Sequence, residues 1–226
     1  PSNTKLIWLN SPGNPSGEVL STLRLKQALD RARELGAVIV NDECYAELGW
    51  GGDYENYIPC MLDPEVTTGD LTNVLSIYSL SKQSNLAGYR AAFAAGDEKL
   101  IKGLVNLRMH SGMMVPMPVQ KAMVAALSDD EHVAKQKEIY RKRRDVLLPA
   151  VQAFGFEIVS SEAGLYLWAT RGNDCWDDIK DLAELGIVAV PGEFYGEAGK
   201  KYVRFSITAT DDEIQRAAER LLNALG

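Results

Sequence analysis

Short apolar runs alternate with polar, turn-rich segments through the first hundred residues. One of these runs, 37–40, is continuously apolar, which is typical of a strand buried on both faces. Between the first two runs, apolar residues recur at helical spacing, and Ser21 and Gly36 predict the ends of that helix. This alternation predicts an α/β layered domain with a mostly parallel sheet. The predicted strands are Leu6–Asn10, Ala37–Val40, Val74–Tyr78 and Arg90–Ala95.

The second half of the chain has a different pattern. Residues 119–154 are mainly helical, with a break near Ser128, and 210–213 is a capping-box sequence before a final amphipathic helix. We therefore expect residues 1–112 to belong to a large domain, and 113–226 to supply an interdomain helix and a smaller α+β domain. Four further runs predict the strands of this domain: Phe156–Val159, Leu165–Ala169, Ile187–Val190 and Val203–Ile207.

Composition narrows the class of protein. The net charge of −7 disfavours a nucleic-acid partner, and we interpret the single basic run, 141–144, as a solvated helix face. The three cysteines have irregular spacing and only two histidines occur, so we expect neither disulfides nor a metal site. No apolar run approaches the length of a membrane helix, and no signal peptide opens the chain. We expect a cytoplasmic protein.

Polar residues follow three of the predicted strands. Asn14, Asp42 and Lys82 each come just after a strand, and ligands of open α/β sheets gather beyond the carboxyl ends of strands. A lysine near a desolvated sheet edge can lose its proton and attack a carbonyl carbon. Arg90, beside small hydroxyl residues, would suit a phosphate group. Asp42 could pair with a protonated ring nitrogen, and Tyr45 could hydrogen-bond a phenolic oxygen.

Arg204 lies inside an apolar strand candidate, where a charged side chain needs a partner. A substrate carboxylate bound by both arms of the guanidinium would satisfy it. A salt bridge on a solvated face would satisfy it equally well, so both interpretations stay open.

The order of four motifs resembles the fold-type I aminotransferases of classes I and II. The motifs are the turn 11–17, Asp42-Glu43-Cys44-Tyr45, Ser79-Leu80-Ser81-Lys82 with Gly88-Tyr89-Arg90, and Tyr202-Val203-Arg204. The resemblance implies a three-layer sandwich, a homodimer, amino-acid and 2-oxo-acid substrates, and the cofactor pyridoxal phosphate. Lys82 would carry the cofactor covalently and move protons. Asp42 would contact the ring nitrogen, Tyr45 and Asn14 the phenolic oxygen, Ser79 and Arg90 the phosphate, and Arg204 the substrate carboxylate.

Two stretches, 161–170 and 191–196, are similar to the actinobacterial N-succinyldiaminopimelate aminotransferases. This likeness implies N-succinyl-L,L-diaminopimelate and glutamate as substrates, in lysine biosynthesis. The family also has an N-terminal part that supplies cofactor and substrate contacts, and that part is missing from this sequence. We therefore expect the chain alone to be inactive or nearly so.

Two alternatives remain. Ser79-Leu80-Ser81-Lys82 also fits S-x-x-K, in which Ser79 would be an acyl-transfer nucleophile activated by Lys82. The companion motifs Lys-Thr-Gly and Ser-Asp-Asn do not occur in the sequence. The chain could also be a non-catalytic piece of an aminotransferase that folds and binds nothing.

Overall fold

The first half of the chain builds a four-stranded sheet. The computed structural model describes residues 1–225. The strand order follows the chain, with β1, β2 and β3 parallel and β4 antiparallel to β3. The sheet is therefore mostly parallel, as the sequence predicts. Its strands are β1 (Leu6–Asn10), β2 (Val38–Asp42), β3 (Val74–Ser79) and β4 (Ala92–Gly96).

The first helix lies between β1 and β2 and covers one face of this sheet. The hydroxyl of Ser21 accepts a hydrogen bond from the backbone N–H of Arg24, and Gly36 ends the helix in the left-handed region at φ 61°. Both predicted ends are confirmed. The apolar face of the helix joins strand and loop residues in one buried cluster: Leu25, Leu29, Ala32, Ile39, Met61, Val66 and Val74.

A second sheet forms from the end of the chain, and it is antiparallel throughout, in the order β5-β6-β8-β7. The expected strand at 187–190 is largely wrong, because only Val190 joins the sheet and Val188 is 97% exposed. The predicted division after residue 112 stays a prediction. The strands are β5 (Glu157–Ile158), β6 (Tyr166–Thr170), β7 (Val190–Pro191) and β8 (Val203–Ser206).

Helices connect and flank the two sheets. The predicted break near Ser128 and the predicted capping box at Thr210 are both present. The sequence pattern did not lead us to expect the helices that follow β4 and β6. Within residues 1–225 the helices are α1 (Thr22–Leu35), α2 (Pro64–Thr67), α3 (Leu80–Gln83), α4 (Glu98–His110), α5 (Met117–Leu127), α6 (Asp130–Ala153), α7 (Cys175–Glu184) and α8 (Asp211–Asn223).

Of the basic run 141–144 only Lys142, which is 74% exposed, lies on a solvated face, so that interpretation is largely wrong. Arg141 pairs with Glu55, and Arg144 donates to the hydroxyl and the carbonyl of Ser161, each at 2.9 Å. Both guanidinium groups also lie over the ring of Trp50, at 5.6 and 6.0 Å from its centroid. These arginines instead fasten α6 to two loops, and their alkyl stems add packing.

Two helices contribute nothing to the buried core. Neither α4 nor α5 has a buried side chain, and their apolar residues form an exposed face together with β4. The large exposed side chains that line the groove shared by β4, α4, α5 and the loop between the two helices are Phe93, Val105, Met109, Met114, Val124 and Leu127.

In the described part of the chain, no helix combines the length and apolarity needed to cross a membrane. Residues 1–225 also contain no group of three or more His, Cys, Asp or Glu side chains placed to hold a metal ion.

Two glycine substitutions test the local backbone energetics in opposite directions. At Gly36 a Cβ meets no atom within 4 Å, yet φ is 61°, so Gly36→Ala should lower the free energy of unfolding by about 1 kcal/mol. Gly103 lies inside α4, also in open space, so Gly103→Ala should raise it by roughly 0.5–1 kcal/mol. Urea denaturation followed by circular dichroism measures both. Equal effects of the two substitutions would contradict this account.

Candidate active site

A cleft of about 340 Å³ opens where β1, β2 and β3 end. Strand ends of a parallel sheet meet at one edge, which is why residues distant in sequence gather there. The cleft is lined by all six residues that were predicted from the sequence to bind the cofactor, namely Asn14, Asp42, Tyr45, Ser79, Lys82 and Arg90. It therefore contains one amine, one carboxylate and one guanidinium.

A buried amide fixes the loops after β1 and β2 relative to each other. The Asn41 side chain is fully buried, and its Oδ1 accepts from the backbone N–H of Ser11 at 3.1 Å. Its Nδ2 donates to the carbonyl of Ser11 at 3.3 Å and to Oε1 of the buried Glu43 at 2.9 Å. The same Glu43 oxygen accepts from the backbone N–H of Met61 at 2.7 Å. Both polar atoms of the Asn41 amide thus have partners inside the protein.

The turn after β1 carries Asn14 into the cleft. Its backbone N–H donates to Oδ1 of Asn10 at 2.8 Å, and the Asn10 amide donates to the carbonyl of Asp42 at 3.3 Å. The side-chain oxygen of Asn14 accepts from Nη1 of Arg204 at 2.9 Å. Asn14 therefore connects the cleft to β8 of the second sheet.

The last residue of β2 and the loop after it supply a carboxylate, a thiol and a phenol. The backbone N–H of Cys44 donates to Oδ1 of Asp42 at 3.2 Å. Burial, followed by the neighbouring Asp42 carboxylate, raises the pKa of the Cys44 thiol to about 12, so the thiol is neutral at pH 7. Burial also raises the pKa of Tyr45, whose hydroxyl lies 3.4 Å from that of Tyr166. Both groups are hydrogen-bond donors at neutral pH.

Hydroxyl groups and Arg90 line the end of the cleft near α3. The Ser79 hydroxyl caps α3 by accepting from the backbone N–H of Ser81 at 3.2 Å, and it lies 2.8 Å from the Ser81 hydroxyl. The guanidinium of Arg90 donates to the carbonyl of Ala87 at 2.9 Å. Arg90 does not open β4 as expected, because its backbone is left-handed (φ 55°) and the strand begins at Ala92.

Arg204 approaches the cleft from the second sheet, held between two aromatic rings. Its guanidinium carbon lies 3.9 Å from the ring centroid of Tyr166 and 5.4 Å from that of Tyr195. Its Nε is buried and has no hydrogen-bond acceptor in residues 1–225. Within those residues the guanidinium donates only to Asn14, so the salt bridge that the sequence left open is not found there. Part of this fork remains free for an anion.

The cleft also contains residues that the sequence patterns did not predict. Asn10, Cys44 and Ser81 also line it. Ser81 carries a hydroxyl two residues after Ser79, and Asn10 carries an amide at the end of β1. Both positions could have been predicted from the sequence. Tyr166 and Tyr195 gave no such signal, because their proximity to Arg204 arises only from tertiary packing.

The family model described as "Aminotransferase class I and II" matches residues 1–221. The chain belongs to this aminotransferase family. One relative is the 4-dedimethylamino-4-oxo-anhydrotetracycline transaminase OxyQ of Streptomyces rimosus, 52% identical over 96% of this chain and 59% of its own length. A probable aminotransferase of Mycobacterium tuberculosis is 48% identical over 98% of this chain and 52% of its own. The LL-diaminopimelate aminotransferase of Dehalococcoides mccartyi is 30% identical over 98% of this chain and 57% of its own length.

Solved aminotransferase structures share the fold. An aminotransferase of Neisseria meningitidis superimposes with a TM-score of 0.87 at 30% identity, over 98% of this chain and 57% of that one. A probable N-succinyldiaminopimelate aminotransferase of Thermus thermophilus superimposes with a TM-score of 0.83 at 29% identity, over 99% of this chain and 59% of that one. The predicted fold class is confirmed. The chain spans about half to three-fifths of the length of the curated relatives it matches.

The cofactor of class I and II aminotransferases is pyridoxal phosphate, and the chemistry of the cleft fits it. A phosphate needs a cation and hydroxyl donors. Arg90 and Ser81 would provide these, and Ser79 would do so once its proton turns from the Ala91 carbonyl to the phosphate. A protonated pyridine nitrogen needs a carboxylate, which Asp42 would provide, and an aldehyde needs an amine, which Lys82 would provide.

Proposed function

We propose that this chain is the lysine-bearing part of an aminotransferase that moves an amino group between an amino acid and a 2-oxo acid. The single observation that carries the proposal is the shared cleft of Lys82, Asp42 and Arg90. S-x-x-K chemistry has less support. The Ser79 hydroxyl is engaged with Ser81 and with the carbonyl of Ala91, and in the described residues it makes no hydrogen bond to Lys82.

Pyridoxal phosphate, when bound, supplies an aldehyde carbon and a ring that withdraws electrons from the substrate's α carbon. Lys82 would hold the cofactor covalently through its amine. Once the amine of the substrate has displaced it, the freed Lys82 amine would carry a proton between the α carbon of the substrate and C4′ of the cofactor. Arg90 and Ser79 would keep the phosphate in place. The other residues of the site would bind the cofactor and the substrate, orient them and neutralise their charges.

Asp42 would keep the ring nitrogen protonated, because a carboxylate at hydrogen-bond distance favours the charged form of its partner. Tyr45 and Asn14 would bind the phenolic oxygen. Burial raises the pKa of Tyr45, so this phenol can donate a hydrogen bond at pH 7. The Asn14 oxygen is occupied by Arg204, which leaves its amide N–H groups to face the cofactor.

Arg204 would bind the α-carboxylate of the substrate. Its Nη1 is already held by Asn14, and the buried Nε has no acceptor. Nη2 makes no hydrogen bond within residues 1–225, so a substrate carboxylate can bind there without displacing Asn14. The rings of Tyr166 and Tyr195 restrict the orientation of the fork before the substrate arrives.

For the amino-acid partners we propose N-succinyl-L,L-diaminopimelate and glutamate, with the amino group passing from glutamate to the 2-oxo acid that corresponds to N-succinyl-L,L-diaminopimelate. The likeness to a structure named for that activity supports it. The 52% identity to the transaminase OxyQ favours a second candidate, a polycyclic ketone of the anhydrotetracycline class. The longer protein that contains this chain would be assayed with N-succinyl-L,L-diaminopimelate or LL-diaminopimelate as amino donor to 2-oxoglutarate, and with the polycyclic ketone as acceptor from glutamate. Comparison of kcat/KM distinguishes the candidates.

The surface area indicates that further polypeptide belongs to the enzyme. A monomer of 24.8 kDa is expected to expose about 10,200 Å². This chain exposes 12395 Å², and much of its apolar surface lies on α4, α5 and β4. Trp8, 56% exposed on the edge strand β1, adds to it. We propose that the rest of the enzyme, present in the longer relatives, covers these surfaces, and that the whole enzyme is a homodimer.

The first prediction concerns covalent capture of the cofactor. In the longer protein loaded with pyridoxal phosphate, borohydride reduction should fix the cofactor on Lys82, and Lys82→Ala should abolish the adduct because no other amine lines the cleft. Peptide mapping by mass spectrometry measures it. Lys26→Ala, on the exposed face of α1, is the control and should keep the adduct. An adduct persisting in Lys82→Ala would refute the assignment.

The second prediction concerns Arg204. Arg204→Lys keeps the charge but loses the planar fork, so KM for the amino-acid substrate should rise about tenfold or more. Arg31→Lys, which alters an exposed ion pair with Glu34, is the matched control and should leave KM unchanged. An unaltered KM in Arg204→Lys would mean that Arg204 is only structural.

The third prediction concerns the 226-residue chain by itself. It should show no more than about 1% of the kcat/KM of the longer protein, since losing even one set of positioning contacts costs about a hundredfold. It should also enhance the fluorescence of an apolar dye far more than the longer protein does, because its apolar face is uncovered. Transamination by the chain at a rate near that of the longer protein would contradict the prediction.

A further inference from the structure

A stripe of three polar side chains on α6 faces the turn that follows Lys82. His132, Gln136 and Tyr140 are spaced four residues apart, so they lie on one side of the helix. Each makes a hydrogen bond to one of two consecutive residues, Ser84 and Asn85. These contacts join segments about fifty residues apart in sequence.

The three hydrogen bonds have ordinary lengths. Nε2 of His132 lies 2.8 Å from the Ser84 hydroxyl, the Asn85 amide donates to Oε1 of Gln136 at 3.1 Å, and the Tyr140 hydroxyl donates to Oδ1 of Asn85 at 3.2 Å. Both polar atoms of the Asn85 side chain are thus bound to α6. The ring of Tyr140 is 5% exposed and belongs to the main apolar cluster, so one end of the stripe is anchored in the core.

The backbone at this point needs such support. Ser84 ends α3, and Asn85 has a φ of 54°, in the left-handed region that only a few non-glycine residues adopt. A conformation of this kind persists when surrounding contacts over-determine it. Because Lys82 lies in α3 two residues before Ser84, the contacts that hold Ser84 and Asn85 also limit the freedom of Lys82.

The contact with His132 does not depend on its protonation. Nδ1 of His132 lies 3.2 Å from Oδ2 of Asp129, the residue that caps α6, and this directs Nε2 toward Ser84. A hydroxyl can donate to a neutral imidazole and accept from a charged one. The arrangement therefore acts as a fixed support.

We propose that His132, Gln136 and Tyr140 are positioning residues that hold the Ser84-Asn85 turn and thereby fix the Lys82 amine in the cleft. The inference builds on the role proposed above for Lys82. Its test needs neither cofactor nor catalysis, so a negative result would leave the capture of the cofactor on Lys82 untouched.

The experiment measures the reactivity of the Lys82 amine in the longer protein that contains this chain, after removal of the cofactor. Trace acetic anhydride labels all amines in competition, and mass spectrometry reports Lys82 relative to the exposed Lys26 of α1. Tyr140→Phe keeps the buried ring and removes only the hydroxyl, and Ser84→Ala removes only the bond to His132. In each variant Lys82 should be labelled at least about threefold faster, as expected when a hydrogen bond that limits local opening is lost.

Controls separate positioning from a general loss of structure. Lys135→Ala removes an exposed ion pair with Glu131 on another face of α6 and should leave the labelling of Lys82 unchanged. His132→Gln retains an amide able to bond Ser84 and should stay close to the parent, whereas His132→Ala should label faster. Circular dichroism of every variant should match the parent. If Tyr140→Phe and Ser84→Ala both keep the parental Lys82 to Lys26 ratio, the proposal is overturned.

Discussion

The candidate site depends on the fully buried amide of Asn41. An unpaired polar group in that position would cost about 1–3 kcal/mol, so the amide holds its partners in place. Those partners are the backbone of Ser11 after β1 and the carboxylate of Glu43 after β2. The two loops therefore have a fixed position relative to each other, close to Asn14 and Asp42, the residues that enter the cleft.

The second sheet reaches this cleft through a short segment with unusual backbone. Ser160 and Ser161 have φ values of 67° and 96°, and Ser161 is held by two hydrogen bonds from Arg144 and by one to the carbonyl of Tyr166. Glu162 then accepts from the backbone N–H of Val19 at 2.8 Å, in the loop before α1. Several contacts thus enforce a backbone that would otherwise be unfavourable. With the Arg204–Asn14 bond, they set the position of the guanidinium over the cleft.

Sequence patterns predicted those parts of the molecule that local rules determine. The capping box at Thr210 and the left-handed stop at Gly36 follow from interactions within a few residues, and both are present. The grouping of Asn14, Asp42 and Lys82 followed from one topological rule about strand ends. The rule could not reveal what Arg141 and Arg144 do, since their partners, Glu55 and Ser161, lie in loops whose positions depend on the complete fold. The prediction of a strand at 187–190 was largely wrong for a related reason. Apolar character alone does not supply a strand to pair with.

The cleft and the exposed apolar face differ in how they are stabilised. Residues around the cleft are held by buried hydrogen bonds and by aromatic packing. Helix α4, in contrast, has no buried side chain and is supported locally, by the Asp97 cap with bonds of 2.7 and 3.1 Å and by the exposed ion pair of Lys102 with Glu98. Such local terms contribute only a few tenths to about 1 kcal/mol each, and helices of this length are marginal without packing. We therefore infer that α4 and α5 are the least stable elements of this chain, and that the apolar face they share would gain most from the polypeptide proposed above to cover it.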